Sequence, residues 1–196
     1  MMKWLRPIVG VTLGTWLLVG LGYPLVMTGI SQILFPYQAN GSQIRVNGQV
    51  VASQHVGQYF NQPQYFWGRP SATTPPYNPE ASGPSNLGPT NKLLMEHVKA
   101  RIKALQESIP GLKVSQIPIS LVESSGSGLD PDITVQSALI QIPRVAKATG
   151  LSEGFLTRLV DQHVLGPQFG IFGKDRVNVV ELNLAVYEAL HPHKSS

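Results

Sequence analysis

Residues 65–91 read YFWGRPSATTPPYNPEASGPSNLGPTN, and the rest of the chain is divided around this stretch. Of its 27 residues, 18 are Pro, Gly, Ser, Thr or Asn. That composition sustains neither a regular helix nor a long strand, because Pro lacks the N–H that both need and Gly gives up the most conformational freedom on ordering. A loop of this length within a compact domain is uncommon and is usually functional or disordered. Disordered tracts are charge-rich and aromatic-poor. Here Tyr65, Phe66, Trp67 and Tyr77 carry large apolar area, and Arg69 and Glu80 are the only charges. The stretch is therefore expected to be an ordered loop, either buried or facing a partner, with regular structure on both sides.

On its N-terminal side, Pro7 to Phe35 runs 29 residues without a charge. About 20 apolar residues in a helix cross a hydrocarbon core, and the apolar region of a cleaved signal peptide is only roughly 7–15 residues long. A retained transmembrane anchor over 1–35 is expected, followed by an extracytoplasmic domain over 36–196. Lys3 and Arg6 precede the span and the next basic residue is Arg45, so the positive-inside bias places the N-terminus in the cytoplasm. Five glycines lie in the span, and Gly10 and Gly14 form a GxxxG pair, a face on which another membrane helix packs closely. Pro24 removes a hydrogen bond to the carbonyl of Gly20 and is expected to kink the helix.

Beyond the anchor, Ile44–Val46, Asn47-Gly48 and Gln49–Ser53 read as a β-hairpin, since Asn-Gly tolerates positive φ at both central positions of a type I′ turn. His55–Phe60 reads as a strand end or one helical turn. After the long loop, Thr90 or Asn91 can cap a helix from Lys92 to Ser108, on which Leu94, Val98, Ile102 and Leu105 share a face. Lys92, Lys99, Arg101 and Lys103 are assigned to solvent. Ile117–Val122 is predicted as an edge strand because Pro118 interrupts it. Ser124–Asp132, SSGSGLDPD, is a second glycine-rich loop. Asp132 or Thr134 is expected to cap a helix from Val135 towards Ala148, which Pro143 kinks or divides. Ser152 opens another helix, Phe169–Asp175 is turn sequence, Val177–Val179 a strand and Glu181–Leu190 the last helix, before a loose tail from His191. Strands and helices mixed without a βαβ rhythm indicate an α+β domain.

The residues also limit the chemistry. The formal charge of +4 falls to a small excess, 13 basic against 11 acidic residues, once Lys3 and Arg6 are set aside, which is no nucleic-acid footprint. Absence of cysteine excludes a disulfide framework, a thiolate zinc site and a Cys nucleophile. No GxSxG elbow or HExxH helix occurs, and Gly173-Lys174 is followed by Asp175, which breaks the phosphate-loop pattern. Asp130 and Asp132 are too few oxygens for a hard-cation site. A glycine-faced span joined to an ordered domain without an evident active site points to a subunit of a larger membrane assembly. The competing class is a membrane-anchored exported hydrolase using a Ser of one glycine-rich loop.

Four separated segments carry a resemblance. Tyr65-Phe-Trp-Gly-Arg-Pro-Ser71 with Pro76-Tyr-Asn-Pro79 and Ser85-Asn-Leu-Gly-Pro-Thr-Asn91, then Ser125-Gly-Ser-Gly-Leu-Asp-Pro-Asp132, then Arg144-Val-Ala146, then Arg176-Val-Asn-Val179 with Leu182-Asn-Leu-Ala185, resemble the C subunit of the bacterial Kdp-type potassium-transporting P-type ATPase. Pro84 departs from the family, which more often has a second Gly there, and restricts Gly83 towards extended conformations. The resemblance implies a single-span, non-catalytic subunit of the bacterial plasma membrane that supports assembly and acts as a catalytic chaperone. Its implied partners are a channel-like potassium-binding subunit, a P-type ATP-hydrolysing subunit and a small membrane peptide, with potassium as the transported ion. ATP is cytoplasmic and this domain is expected outside, so any effect on ATP affinity is expected to pass through the membrane helix. Trp67, Arg69, Tyr77, Asn78, Asn86, Asn91, Asp130 and Asp132 are the signature-loop residues expected to be partner-facing or structural.

Overall fold

In the computed structural model of the protein, which describes residues 2–191, Lys3–Leu34 form one helix of 32 residues, long and apolar enough to cross a membrane. It runs as α1 (Met2–Thr15), a π-helical stretch (Trp16–Gly22) and α2 (Tyr23–Leu34). The N–H of Tyr23 bonds to the carbonyl of Leu18, five residues back. At ordinary pitch the ring of Pro24 would meet the carbonyl of Gly20, and Pro24 has no N–H to offer it. Widening the preceding turns relieves that clash, and the π-helical stretch lies directly ahead of Pro24.

The chain divides into two compact units, one ending at Val51 and the other beginning at Ala52. A short helix, α3 (Pro36–Ala39), follows the span. Strands β1 (Gln43–Val46) and β2 (Gln49–Ser53) form the hairpin that the sequence predicts, with Asn47 at φ 51° and Gly48 at φ 79°.

In the second unit, β3 (Asp132–Thr134), β4 (Val164–Leu165) and β5 (Arg176–Asn178) make an antiparallel sheet in the order β3-β5-β4. Ile133 lies opposite Val177, and both turn inward. Five helices accompany the sheet: α4 (Lys92–Ser108), α5 (Val135–Leu139), α6 (Ile142–Thr149), α7 (Glu153–Gln162) and α8 (Val179–Leu190). Their starts are chemically marked. The side chains of Asn91, Thr134, Ser152 and Asn178 each accept a backbone N–H of the first turn, which satisfies donors that a helix start leaves unpaired. Pro143 divides α5 from α6, as one of the two expected outcomes had it.

Three expectations are corrected. Ile117–Val122 contains no strand, because Pro118 starts a 3₁₀ turn, Ile119–Leu121, closed by Leu121 N–H to Pro118 O at 3.0 Å. Arg101 is not a solvent residue but is half-buried on α4, donating to Val122 O at 2.8 Å and to Ser124 Oγ at 3.2 Å. Asp132 caps no helix; it opens β3 and pairs with Arg176, and Thr134 takes the cap. His55–Phe60 holds only an isolated bridge, Ser53 to Val56, and the predicted tail lies outside the described residues from Pro192 onward.

Two apolar clusters result. The main core gathers Ile133, Ala138, Ile142, Val145, Leu156, Val160, Val177, Leu182 and Val186 together with Phe66, which comes from the long loop. The smaller one joins Leu105, Leu121 and Val122 to the apolar face of α4, with Trp67 packed against it. α6 ends at Gly150, held at φ 75° with open space where a side chain would begin. The strain of a left-handed L-residue is then the only penalty of substitution, and Gly150→Ala is expected to lower stability by about 1–2 kcal/mol, measured as a shift in the urea midpoint at unchanged slope.

Candidate functional site

α8 buries Val179, Leu182 and Val186, and Asn183 lies four residues after the first of these and three before the last. A polar side chain is thereby carried into the core, where it must find partners. It finds them on the long loop. Asn183 Oδ1 accepts the N–H of Phe66 at 2.7 Å, and Nδ2 donates to the carbonyl of Phe66 at 2.9 Å. The next residue is held the same way from the N-cap of α6. Gln141 Oε1 accepts the N–H of Trp67 at 2.8 Å, and Nε2 donates to the carbonyl of Trp67 at 3.1 Å. Two side-chain amides thus supply what neighbouring strands would supply to an extended segment. Successive side chains of an extended segment point opposite ways, so Phe66 enters the main core and Trp67 packs on the smaller one.

Arg144 completes the clamp. Its Nη1 donates to Pro63 O at 2.7 Å and Tyr65 O at 3.0 Å, and Nη2 to Gln141 Oε1 at 2.6 Å. The guanidinium lies 4.0 Å from the centre of a Trp67 ring. Only 5% of Arg144 is exposed, and among the described residues no carboxylate forms a salt bridge with it. Burial pulls its pKa down to about 10. A guanidinium keeps its proton throughout the physiological range, so the shift expresses the cost of enclosing a charge. The carbonyls and the indole face offset that cost.

Further along, the two glycine-rich loops are stitched together. Ser125 N–H bonds Pro70 O at 3.1 Å, Gly83 N–H bonds Ser127 O at 2.8 Å, and Ser71 Oγ donates to Gly128 O at 2.8 Å. Pro84 is compatible with this, because Gly83 is not in the left-handed region and still offers its N–H. Arg69 Nη1 pairs with Asp130 Oδ2 at 3.0 Å across the loops. Tyr77, at φ 60°, donates its hydroxyl to Arg69 O at 2.6 Å. A Cβ at Gly57 would lie 2.6 Å from the ring of Tyr77, and one at Gly68 would lie 2.5 Å from its hydroxyl. Those two glycines leave the room that the tyrosine occupies. Burial, reinforced by the charge of Asp130 and opposed by Arg69, pushes the phenol well above its ordinary value.

Asp130 Oδ1 accepts the N–H of Asp132, and Asp132 Oδ2 pairs with Arg176 Nε at 3.0 Å. The other oxygen of Asp132 is buried without a partner. Burial outweighs Arg176, so the carboxyl is held above the usual carboxylate range. A cleft of about 390 Å³ opens between Tyr59, Trp67, Arg69, Tyr77, Arg101 and Leu121. The serine hydroxyls beside it act as acceptors within the loop, Ser124 Oγ from Arg101 and Ser125 Oγ from Gly128 N–H. Among the described residues no three His, Cys, Asp or Glu side chains gather into a metal-binding group. What this arrangement builds is a stiff surface with aromatic and cationic features.

The structure therefore brings Trp67, Arg69, Tyr77 and Asp130 together, with Asp132 adjoining. Asn78 closes a local turn, accepting Glu80 N–H at 3.0 Å, Asn86 is exposed at φ 54°, and Asn91 caps α4. Gly10 and Gly14 lie on α1 with open space about them. The site also depends on Gln141, Arg144 and Asn183, whose roles the sequence reading does not contain. Asn183 carries a legible signal, a lone amide on the apolar stripe of VVELNLAVYEAL. Gln141 carries none, and Arg144 shows only in the family resemblance, because the loop groups they hold are more than 70 residues away.

The family model described as K+-transporting ATPase, c chain (KdpC), matches residues 5–188. A Paraburkholderia phytofirmans protein named potassium-transporting ATPase KdpC subunit is 50% identical over 188 residues, covering 95% of this chain and 97% of that one. A Burkholderia vietnamiensis protein of the same name is 50% identical over 191 residues, covering 96% and 98%. The class is thus that of accessory subunits of potassium-transporting ATPases. The chain belongs to the KdpC family.

Replacing Asn183 by Leu keeps the branched shape of the side chain but strands the N–H and carbonyl of Phe66. Each stranded buried group costs about 1–3 kcal/mol, so Asn183→Leu is expected to destabilise the domain by about 2–5 kcal/mol and to accelerate hydrogen exchange at Phe66. Unchanged exchange there would contradict the clamp. For Asp132, the folded state holds its proton more tightly than the unfolded state. This carboxyl's contribution to folding is therefore fully present below the unfolded pKa and is lost as pH rises from there through the folded pKa. Carboxyl NMR titration should place its midpoint above the ordinary value, and higher still in Arg176→Leu.

Proposed function

We propose that the chain is the non-catalytic C-type subunit of a Kdp-type potassium-transporting ATPase. The family match across nearly the whole chain, with half of all positions identical in named relatives, carries this conclusion. The exported-hydrolase alternative is not favoured, since the family and the named relatives are subunits of a potassium-transporting ATPase.

In this proposal, residues 1–35 anchor the protein in the bacterial plasma membrane and 36–196 form the extracytoplasmic α+β domain. Lys3 and Arg6 ahead of the span support a cytoplasmic N-terminus. Gly10 and Gly14 give α1 a smooth face for a membrane partner, and the nearby π-helical stretch adds a second irregular surface. The partners are a channel-like potassium-binding subunit, a P-type ATP-hydrolysing subunit and a small membrane peptide. The stitched loops around Trp67, Arg69, Tyr77 and Asp130 form the domain's docking surface. Their prior order favours such a role, because a surface already fixed loses little entropy on binding.

The proposal includes support of assembly and an effect on the ATP affinity of the catalytic subunit. With ATP on the cytoplasmic side and the domain outside, that effect runs through the span, which must pack differently against two states of its partner. The full chain, purified in mild detergent, is expected to bring with it a P-type ATPase and a multi-span channel-like protein. The pair Gly10→Leu and Gly14→Leu should reduce that recovery several-fold, and equal recovery would reject the glycine face as the contact.

A further inference from the structure

Between β4 and β5 the chain makes a tight hairpin turn whose tip places Phe169, Ile171 and Phe172 in solvent, at 83%, 78% and 66% exposure. Three large apolar side chains this exposed and this close together mark a surface that something else covers. The tip is not a loose segment. Gln168 and Phe172 bond each other in both directions, at 2.8 and 2.9 Å, and Gly170 N–H bonds Pro167 O at 3.0 Å. Ile171 N–H bonds Gln168 O at 3.2 Å. Phe169 is held at φ 55°, a conformation a bulky residue adopts only under constraint, with Gly170 beside it at φ 74°.

We propose that this tip is a bilayer-contacting wedge that seats the domain on the surface of the membrane in which its own span is embedded. Four of the five N–H groups from Gln168 to Phe172 are bonded within the turn, which is what entry into a poorly hydrated layer requires. The exposed side chains are two Phe and one Ile, with no charged or hydrogen-bonding group among them. The contact they offer is apolar and non-directional, and a lipid boundary accepts it without a shaped counterpart. Lys174 follows, also exposed, with a chain long enough to keep its ammonium at headgroup level while the apolar tip goes deeper. A tip of this size would hold a free domain to lipid only weakly, but a span in the same chain keeps it at high effective concentration near the bilayer.

The proposal rests on the anchoring of Lys3–Leu34 set out above, and two labels separate the two claims. The chain has no cysteine, so single spin labels can be placed by Ile171→Cys in the tip, Leu17→Cys in the span and Lys99→Cys on the exposed side of α4. The full chain is reconstituted in vesicles of phosphatidylcholine with phosphatidylglycerol, and each label is tested for access to oxygen against a water-soluble nickel chelate. The tip label should give an oxygen-to-nickel ratio at least about fivefold above that of the α4 label. Adding Phe169→Ser and Phe172→Ser should return it to the α4 value. A tip label that reads as water while the span label reads as lipid would overturn the wedge and leave the anchor standing. Protection of the tip that arises only when the other subunits are present would also overturn it, in favour of a protein contact. A span label that reads as water would remove both.

Discussion

The structure of the second unit depends on two side-chain amides buried where no water reaches them. Asn183 and Gln141 each hold both the N–H and the carbonyl of one residue, Phe66 and Trp67 respectively. A buried amide with no partner is costly, and so is a buried peptide group. Each removes the other's penalty, so neither the helices nor the loop can reach their native positions independently. The sheet is too small to organise a domain alone, its longest strands being only 3 residues. The pinned dipeptide acts as a further strand between the two apolar clusters.

Arg144 shows how the same logic handles charge. A guanidinium without a carboxylate is costly to bury, yet here it gathers carbonyls from Pro63 and Tyr65 and one face of Trp67. Since a chain bend exposes several carbonyls at once, one planar cation can satisfy them together. The Arg69–Asp130 pair is different in kind. It is partly open to solvent, joins two loops that already share backbone hydrogen bonds, and so adds orientation more than stability.

In the docking role proposed for the stitched loops, order matters: a loop rich in Pro and Gly would ordinarily be mobile, and binding would then have to order it. Here the clamp, the loop-to-loop bonds and Tyr77 lodged against Gly57 and Gly68 do that ordering in advance. The exposed tip at Phe169–Phe172 and the unpartnered span extend the same theme. Each is apolar surface left uncovered in the isolated chain.

Local chemistry alone determined a good part of this protein. The charge-free run specified the long apolar helix, Asn47-Gly48 the hairpin turn, and Asn91, Ser152 and Pro143 the starts and break of helices, because each acts within a few residues of itself. The wording of the two glycine-rich loops also identified the family. Other features were settled only by tertiary structure. Ile117–Val122 has strand-like residues but follows the turn that Pro118 starts, and Asp132 has a capping residue's chemistry but meets Arg176 first. Arg101 lies on a helix that reads as solvated there, yet it bonds Val122 and Ser124. Gln141, Arg144 and Asn183 owe their roles to backbone groups between 74 and 117 residues away. Partners at such distances are chosen by packing, and nothing in the local sequence reports them.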